Sequence, residues 1–264
     1  MKNERLSLLY NLLHILNKNQ VGSADYQLAA YFLNNYANMS AINIYDASAA
    51  NNVSRATIRR FANRLGYKNF LEMKEHFSDF NEGTEAYRTF YSGKDFRDSL
   101  RDSIDVMMRE MSDHMTWNET HSLARLISES DQVSIIASMR VANSVKIFQQ
   151  EMVYFGQTIN LAVDQDNIAQ LEQRMTSNSL TIVISITGVF LQSVSKQIQS
   201  LPGTKVLVTL SRNPTYNRWF DKVIHLNSHD FDLQGQFIYY SYGINYLMDI
   251  LFKDYLEYIQ KGDN

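Results

Sequence analysis

The stretch Ala50-Asn51-Asn52-Val53-Ser54-Arg55-Ala56-Thr57-Ile58-Arg59-Arg60-Phe61-Ala62-Asn63-Arg64-Leu65-Gly66-Tyr67 reads as a short turn followed by one helix with a marked start and stop. Ser54 suits the N-cap, where a hydroxyl accepts a hydrogen bond from an unpaired first-turn N–H. Gly66 suits the left-handed residue that closes a helix. Between them Ile58, Phe61, Ala62 and Leu65 recur at i, i+3, i+4 and i+7 and make one apolar face. Arg55, Arg59, Arg60 and Asn63 take the other face, with Arg64 beside them and Thr57 in the exposed first turn. Upstream, Ile44 to Ala50 spells a short helix of mostly small residues, and Asn52 falls where the connection needs a residue tolerant of positive φ. The pattern is that of a helix-turn-helix whose second helix reads DNA. A solvated amphipathic helix is the competing reading. The cap, the turn, the preceding helix and four arginines in ten residues favour DNA.

Working outward, the 264 residues suffice for one large or two ordinary domains, and 45% hydrophobic content supplies a substantial core. Residues 1–80 hold nine basic and six acidic side chains, a net +3, while 81–264 hold sixteen and twenty-two, a net −6. A basic module on an acidic remainder is the balance of a DNA reader joined to a separate regulatory domain. No apolar run approaches the ~20 residues that span a bilayer. The segment after Met1 carries Asn11, His14 and Asn17 where a signal peptide would be apolar. Cysteine is absent, which removes disulfides and thiolate metal sites and suits a cytoplasmic location.

Leu6, Leu9, Leu12/Leu13 and Leu16 define a first helix, and Ser23 starts a second with Leu28, Ala29, Phe32, Leu33 and Tyr36. After the helix-turn-helix, Asn69 to Phe80 continues helical through Phe70, Leu71, Met73 and Phe77. Residues 1–80 are therefore expected to be an all-helical DNA-binding domain. The stretch from Asn81-Glu82-Gly83-Thr84 to Ser92-Gly93-Lys94 has glycines and little period, and 81–94 reads as a linker.

From 95 to 264 the rhythm changes. Two helices come first, around Leu100 to Met111 and Leu123 to Ile127. Short apolar runs then follow at Val133–Ala137, Thr158–Val163, Leu180–Ile184, Lys205–Thr209 and Val223–Leu226, with helical patterns between them. Such alternation implies a parallel, doubly wound α/β sheet with both faces covered. Ligands of such sheets sit beyond the strand C-termini. That places the candidate site loops at Ser138-Met139-Arg140, Ser185-Ile186-Thr187-Gly188 and Leu210-Ser211-Arg212. The last helical stretch carries Phe237, Tyr240, Ile244, Leu247/Met248, Leu251 and Tyr255, a stripe expected both to pack in the domain and to build a twofold dimer.

Enzymatic signatures are missing. The six histidines are scattered, no HExxH, nucleophile-elbow or P-loop pattern occurs, and Ser185 has no assignable base. His225 and His229 are a poor metal pair, since His225 falls in the last strand. Asp164 and Asp166 read as partners of a helix N-terminus. No cofactor and no metal are expected.

Val53-Ser54-x-x-Thr57-Ile58-x-Arg60-Phe61, then Leu65-Gly66-Tyr67 and Phe70, resembles the recognition segment of the RpiR/MurR-type transcriptional regulators, and the resemblance covers nearly the whole chain. Ile184-Ser185-Ile186-Thr187-Gly188 is similar to that family's phosphosugar loop, and Met248-Asp249-Ile250-Leu251 to its C-terminal helix. The resemblance implies a helix-turn-helix domain followed by a SIS (sugar isomerase) domain. It further implies a double-stranded DNA operator, a phosphosugar effector, a homodimer and control of sugar or amino-sugar genes. Residues at the expected DNA contacts are Ser54, Arg55, Thr57, Arg59, Arg60, Arg64 and Lys68; those at the ligand loops are Ser138, Arg140, Ser185, Thr187, Gly188 and Ser211. The family's first loop is usually Gly-x-Gly-x-Ser, and here Ala137, Met139 and Val141 stand at those positions, while Phe190 replaces the second loop's final threonine. A phosphate cradle depends on clustered hydroxyls and close backbone N–H groups, so these departures imply weakened or altered ligand binding. Two other readings stay open: a SIS-fold sugar-phosphate isomerase or lyase with an accessory helical domain, and a DNA reader whose SIS domain is a ligand-free dimerisation scaffold.

Overall fold

The computed structural model describes residues 4–75, 80–228 and 233–262. The chain divides into two compact units, Met1–Tyr91 and Ser92–Asn264.

In the first unit the leucine and aromatic spacings produce α1 (Glu4–Lys18), α2 (Ala24–Asn34), a 3-10 turn (Tyr36–Ala41), α3 (Ile44–Ala50), α4 (Arg55–Arg64), α5 (Phe70–Glu75) and α6 (Phe80–Tyr91). Leu8 and Leu12 of α1, Leu28 and Phe32 of α2, Ile58 and Phe61 of α4, and Met73 of α5 are fully buried in one core. The Phe32 ring lies 5.8 Å from Phe61 and 5.9 Å from Phe70, so the ring of α2 seats the recognition helix and the helix after it. Three caps fix where helices begin. The Ser23 hydroxyl accepts from Tyr26 N–H, the Asn43 carbonyl from Tyr45 and Asp46 N–H, and the Ser54 hydroxyl from Thr57 N–H at 3.1 Å.

The stretch read as a linker is corrected here, because α6 runs through most of it. Tyr87 and Tyr91, one turn apart, stack with centroids 6.4 Å apart and planes 7° from parallel, and α6 also packs on the Tyr36–Ala41 turn. Those aromatic contacts outweigh the helix-weakening effect of Gly83. Phe77, expected on an apolar face here, lies outside the described residues.

The second unit opens with α7 (Phe96–His114) and α8 (Trp117–Glu129). There follow β1 (Gln132–Ala137), α9 (Met139–Val153), β2 (Ile159–Ala162), α10 (Gln165–Glu172), β3 (Ser179–Ile184), α11 (Val189–Ser200), β4 (Thr204–Thr209) and β5 (Lys222–His225). It closes with α12 (Leu233–Ile238), a π-helical turn (Tyr239–Gly243) and α13 (Ile244–Gly262). All strand pairs are parallel and the order is β2-β1-β3-β4-β5. That order reverses direction between β1 and β3, which opens a crevice at their C-terminal ends. Every residue of β3 is buried, as a strand covered on both faces requires. One face, with Ile136, Val183 and Leu207, packs on Ile168 of α10 and Leu191, Val194 and Ile198 of α11. The other face is covered from the side of α8, α9 and α13.

The stripe of the last helical stretch packs within the domain. Phe237, Ile244, Leu247, Met248, Leu251 and Tyr255 are each at most 8% exposed within one chain. They pack against α8 and α9, as the intradomain half of the reading expects. Buried Asp254 on α13 accepts a hydrogen bond from Thr120 of α8, which fixes the register of the two helices. No described helix is long and apolar enough to cross a membrane.

Candidate functional site

The recognition helix α4 is built by local chemistry. The turn before it is pinned twice, by the Ser48 hydroxyl donating to the Val53 carbonyl and by Val53 N–H donating to the Ser48 carbonyl at 3.2 Å. Asn52 takes φ +50° to close that turn, a conformation asparagine tolerates better than most residues. Ser54 is exposed but spends its hydroxyl on the cap, lying 2.9 Å from the Thr57 hydroxyl as well as accepting from Thr57 N–H. Arg60 in turn reaches the Thr57 hydroxyl at 3.5 Å. A chain of contacts from Ser54 through Thr57 thus orients the Arg60 guanidinium.

Arg55, Arg59, Arg60, Arg64 and Lys68 are all exposed, while Ile58, Phe61 and Ala62 are fully buried beneath them. The Arg55 guanidinium lies 4.7 Å above the ring of Tyr45, which is 63% exposed in the first turn of α3. Tyr45 therefore belongs to the same surface, and it was missed because an exposed tyrosine in a small-residue helix gives no sequence signal. Arg64 is ion-paired to Asp25 at the start of α2, so its charge is partly committed within the unit. The backbone N–H of Lys68 donates to the Glu72 carboxylate, part of a cap in which Asn69 accepts from Glu72 N–H at 2.9 Å. The Lys68 ammonium projects from that turn.

At the C-terminal edge of the sheet the loop residues do come together, with roles more internal than their types suggest. Ser185 is 3% exposed, and its hydroxyl accepts from Leu191 N–H at 3.2 Å inside the first turn of α11. It works as a helix cap. Gly188 holds φ +75° at the start of α11, and a Cβ there would collide with the Tyr216 hydroxyl and stand 3.0 Å from the Ser211 hydroxyl oxygen. The Ser211 and Tyr216 hydroxyls are 3.5 Å apart, and Thr209 ties the edge by donating to the Ser185 carbonyl at 2.7 Å. Ser138 caps the backbone of α9 without a side-chain bond and is half-buried.

Arg140, read from sequence as a ligand-loop residue, is half-buried. Its guanidinium lies 4.0 Å from the centroid of Tyr240 and 5.2 Å from that of Phe237. Thr187 faces the same Tyr240 phenol. Burial raises the phenol's pKa, while Thr187 and the positive charge of Arg140 pull it back. Sequence reasoning placed Tyr240 and Phe237 in a core or interface; their place over this edge depends on a chain return of about a hundred residues that no local pattern announces.

Nearby, Arg212 donates to the Asn227 carbonyl. His225 at the end of β5 has its pKa lowered by burial first, then by Arg212 and His114. His229, set aside with it as a poor metal pair, lies outside the described residues. Among those described, no three His, Asp or Glu side chains are grouped to hold a metal ion. Asp164 caps α10, accepting from Asn167 N–H at 2.7 Å.

A capped, arginine-faced helix behind a pinned turn, followed in the chain by a parallel sheet with polar loops at its C-terminal edge, defines a helix-turn-helix protein with an α/β second unit. Residues 10–80 match the helix-turn-helix domain of the rpiR family. The first unit therefore carries an rpiR-family helix-turn-helix domain, and a parallel α/β unit follows it. No curated protein matches the sequence. Among solved structures, NanR of Vibrio vulnificus in complex with ManNAc-6P shares 15% identity over 96% of this chain and 93% of its own, with a TM-score of 0.54. The sugar isomerase domain of an RpiR transcription factor from Sphaerobacter thermophilus shares 10% identity over 62% of this chain and 94% of its own, at a TM-score of 0.41. A Methanococcus jannaschii protein inferred to be a 3-hexulose-6-phosphate isomerase shares 13% over 62% and 90%, at 0.46. The NanR likeness establishes a common two-domain fold.

Proposed function

We propose that this regulator binds an operator through α4 and that its second domain senses an anionic phosphosugar at the C-terminal edge of β1, β3 and β4. The observation that carries the reading is the exposed pair Arg59 and Arg60, with Arg60 held by the half-buried Thr57, over fully buried Ile58 and Phe61. Thr57, Arg59 and Arg60 contact base edges, whereas Ser54, Arg55, Arg64 and Lys68 contact the backbone, where they add affinity without sequence preference. At the ligand edge Arg140 supplies charge, and Ser138, Thr187 and Ser211 supply hydroxyls. Ser185 and Gly188 shape the N-terminus of α11, whose dipole favours an anion. NanR's complex with ManNAc-6P supports an amino-sugar phosphate as the class. The protein acts as a cytoplasmic homodimer that places two recognition helices on half-sites, and it works by binding, without catalysis.

Fluorescence anisotropy of the full chain on a selected operator duplex, with and without ManNAc-6P or glucosamine 6-phosphate, tests this reading. A change in DNA affinity of about 5- to 150-fold is the expected coupling. Unchanged affinity at saturating sugar phosphate favours the ligand-free scaffold, the reading to which the internal use of the Ser185 hydroxyl gives support.

A further inference from the structure

The ligand edge of the second unit contains an arrangement that the anion-sensing reading does not require. Arg140 sits in the first turn of α9, where a guanidinium can reach the crevice between β1 and β3. Its planar face is instead covered by two aromatic rings from a distant part of the chain, Tyr240 at 4.0 Å and Phe237 at 5.2 Å. Phe237 is 8% exposed while Arg140 and Tyr240 are half-buried, so this contact is partly desolvated. The Tyr240 ring belongs to the π-helical turn Tyr239–Gly243, a widened turn of the kind that recurs at functional positions in helices. The neighbouring Tyr239 donates to the Glu110 carboxylate of α7 at 2.8 Å. Tyr240 also meets Thr187, so one residue covers both the charge and a hydroxyl of the proposed site.

We propose that Tyr240 and Phe237 form a gate on Arg140, an inference that rests on the anion-sensing reading above. Arg140 has two alternative partners, the faces of these rings or the oxygens of a phosphate monoester. Exchange between them moves the Phe237–Gly243 turn relative to α7. A cation over an aromatic face is held by the ring quadrupole, whereas a phosphate offers a full charge and bidentate hydrogen bonds, so the exchange runs toward a bound anion. The rings compete for the same guanidinium and thereby weaken apparent anion affinity. They also set selectivity. A ligand must carry enough charge to strip Arg140 from the rings, which excludes neutral sugars and favours phosphate esters. The turn joined to α7 through Tyr239 is the element whose two positions a ligand can bias.

The test is calorimetric titration of the full-length protein with inorganic phosphate and with glucose 6-phosphate. Wild type, Tyr240→Leu, Tyr240→Phe and Arg140→Gln are compared, and thermal melting verifies each fold. Tyr240→Leu should bind about tenfold more tightly than wild type, the scale of a partly desolvated cation–π contact removed from the competition. Tyr240→Phe keeps the ring and should stay near wild type, and Arg140→Gln should lose binding. Should Tyr240→Leu not fold, the wild type decides through the Arg140 side-chain Nε–H resonance. The proposal expects a ring-current-shifted signal that moves toward the ordinary arginine position as phosphate saturates. Equal or weaker binding by Tyr240→Leu, or an Arg140 resonance unmoved by bound phosphate, overturns the gate. If Arg140→Gln still abolishes binding in that case, the ligand site stands without a gate. If Arg140→Gln binds like wild type, the site itself is misplaced.

Discussion

The recognition helix and the ligand edge use the same residue types in opposite ways. On α4 the hydroxyls of Ser54 and Thr57 hold a guanidinium outward, and Arg59 and Arg60 stay exposed over a sealed apolar face. At the sheet edge the hydroxyl of Ser185 is turned into a helix cap, Gly188 is packed under Tyr216, and Arg140 is laid against two rings. One surface is finished as it stands. The other is organised around its own side chains, and a ligand there has to displace something. A duplex can dock on a rigid, charged face, while a sensor needs two arrangements close in free energy.

Two glycines sharpen that contrast most strongly. Gly66 and Gly188 both hold positive φ, at +91° and +75°. Nothing lies within 4 Å of a Cβ at Gly66, whereas one at Gly188 meets Tyr216 and Ser211. Gly66→Ala should therefore cost only the left-handed strain, about 1–2 kcal/mol. Gly188→Ala should add overpacking, for a total of about 2–5 kcal/mol. Denaturant unfolding followed separately in the two units checks this, and equal costs would mean the sheet edge is looser than described.

Smaller in energy, and specific to DNA, is Arg60→Ala. It should weaken binding to the selected operator by about 1–3 kcal/mol if its guanidinium is bidentate to a base. Affinity for unrelated duplex should fall much less. Equal losses on both duplexes would reduce Arg60 to a phosphate contact.

The Arg64–Asp25 pair should matter less. It is half-exposed on the arginine side, so Asp25→Asn should change stability by no more than about 1 kcal/mol. Freed from its partner, Arg64 should then raise affinity for any duplex and steepen the salt dependence, read by titration in increasing salt. A flat response would show that Arg64 points away from DNA.

The smallest effect is a pH slope confined to the second unit. His225 has a folded-state pKa below the ordinary histidine value, chiefly through burial, with Arg212 and His114 adding to it. The unfolded chain therefore binds more protons in the window just below that ordinary value. Stability is full above the window and falls as pH drops through it. His225→Gln should flatten the fall in melting temperature between neutral and mildly acidic pH. An unchanged slope would assign the acid sensitivity to other groups.

The contrast between the two regions also explains how far the sequence could be read. The helix-turn-helix was legible because its determinants are local: a cap three residues from its partner, a turn asparagine, and an apolar period over one helix. The strands were legible for a similar reason, since Val133–Ala137, Leu180–Ile184 and Lys205–Thr209 are short apolar runs set between helical patterns. The order of the strands was not legible, because parallel winding allows more than one. What stayed hidden depends on distant contacts. Tyr87 and Tyr91 hold α6 together where Gly83 and Gly93 suggested a linker. The stripe from Ile244 to Tyr255 could be read as buried, but not that α8 and α9, more than ninety residues earlier, are what bury it. Arg140 could be named as a candidate but not paired with Tyr240. The Ser185 hydroxyl could be counted but not seen to be spent on Leu191.

The most direct measurement is selection of bound duplexes from a random pool, run in parallel on the full-length wild type and on Arg59→Ala/Arg60→Ala. The account predicts that wild type enriches a defined sequence, with paired half-sites about one helical turn or a multiple apart. The double variant should retain salt-sensitive binding and lose that enrichment. No enrichment by the wild type, or the same sequence enriched by the variant, would contradict the assignment of α4 as the helix that reads DNA.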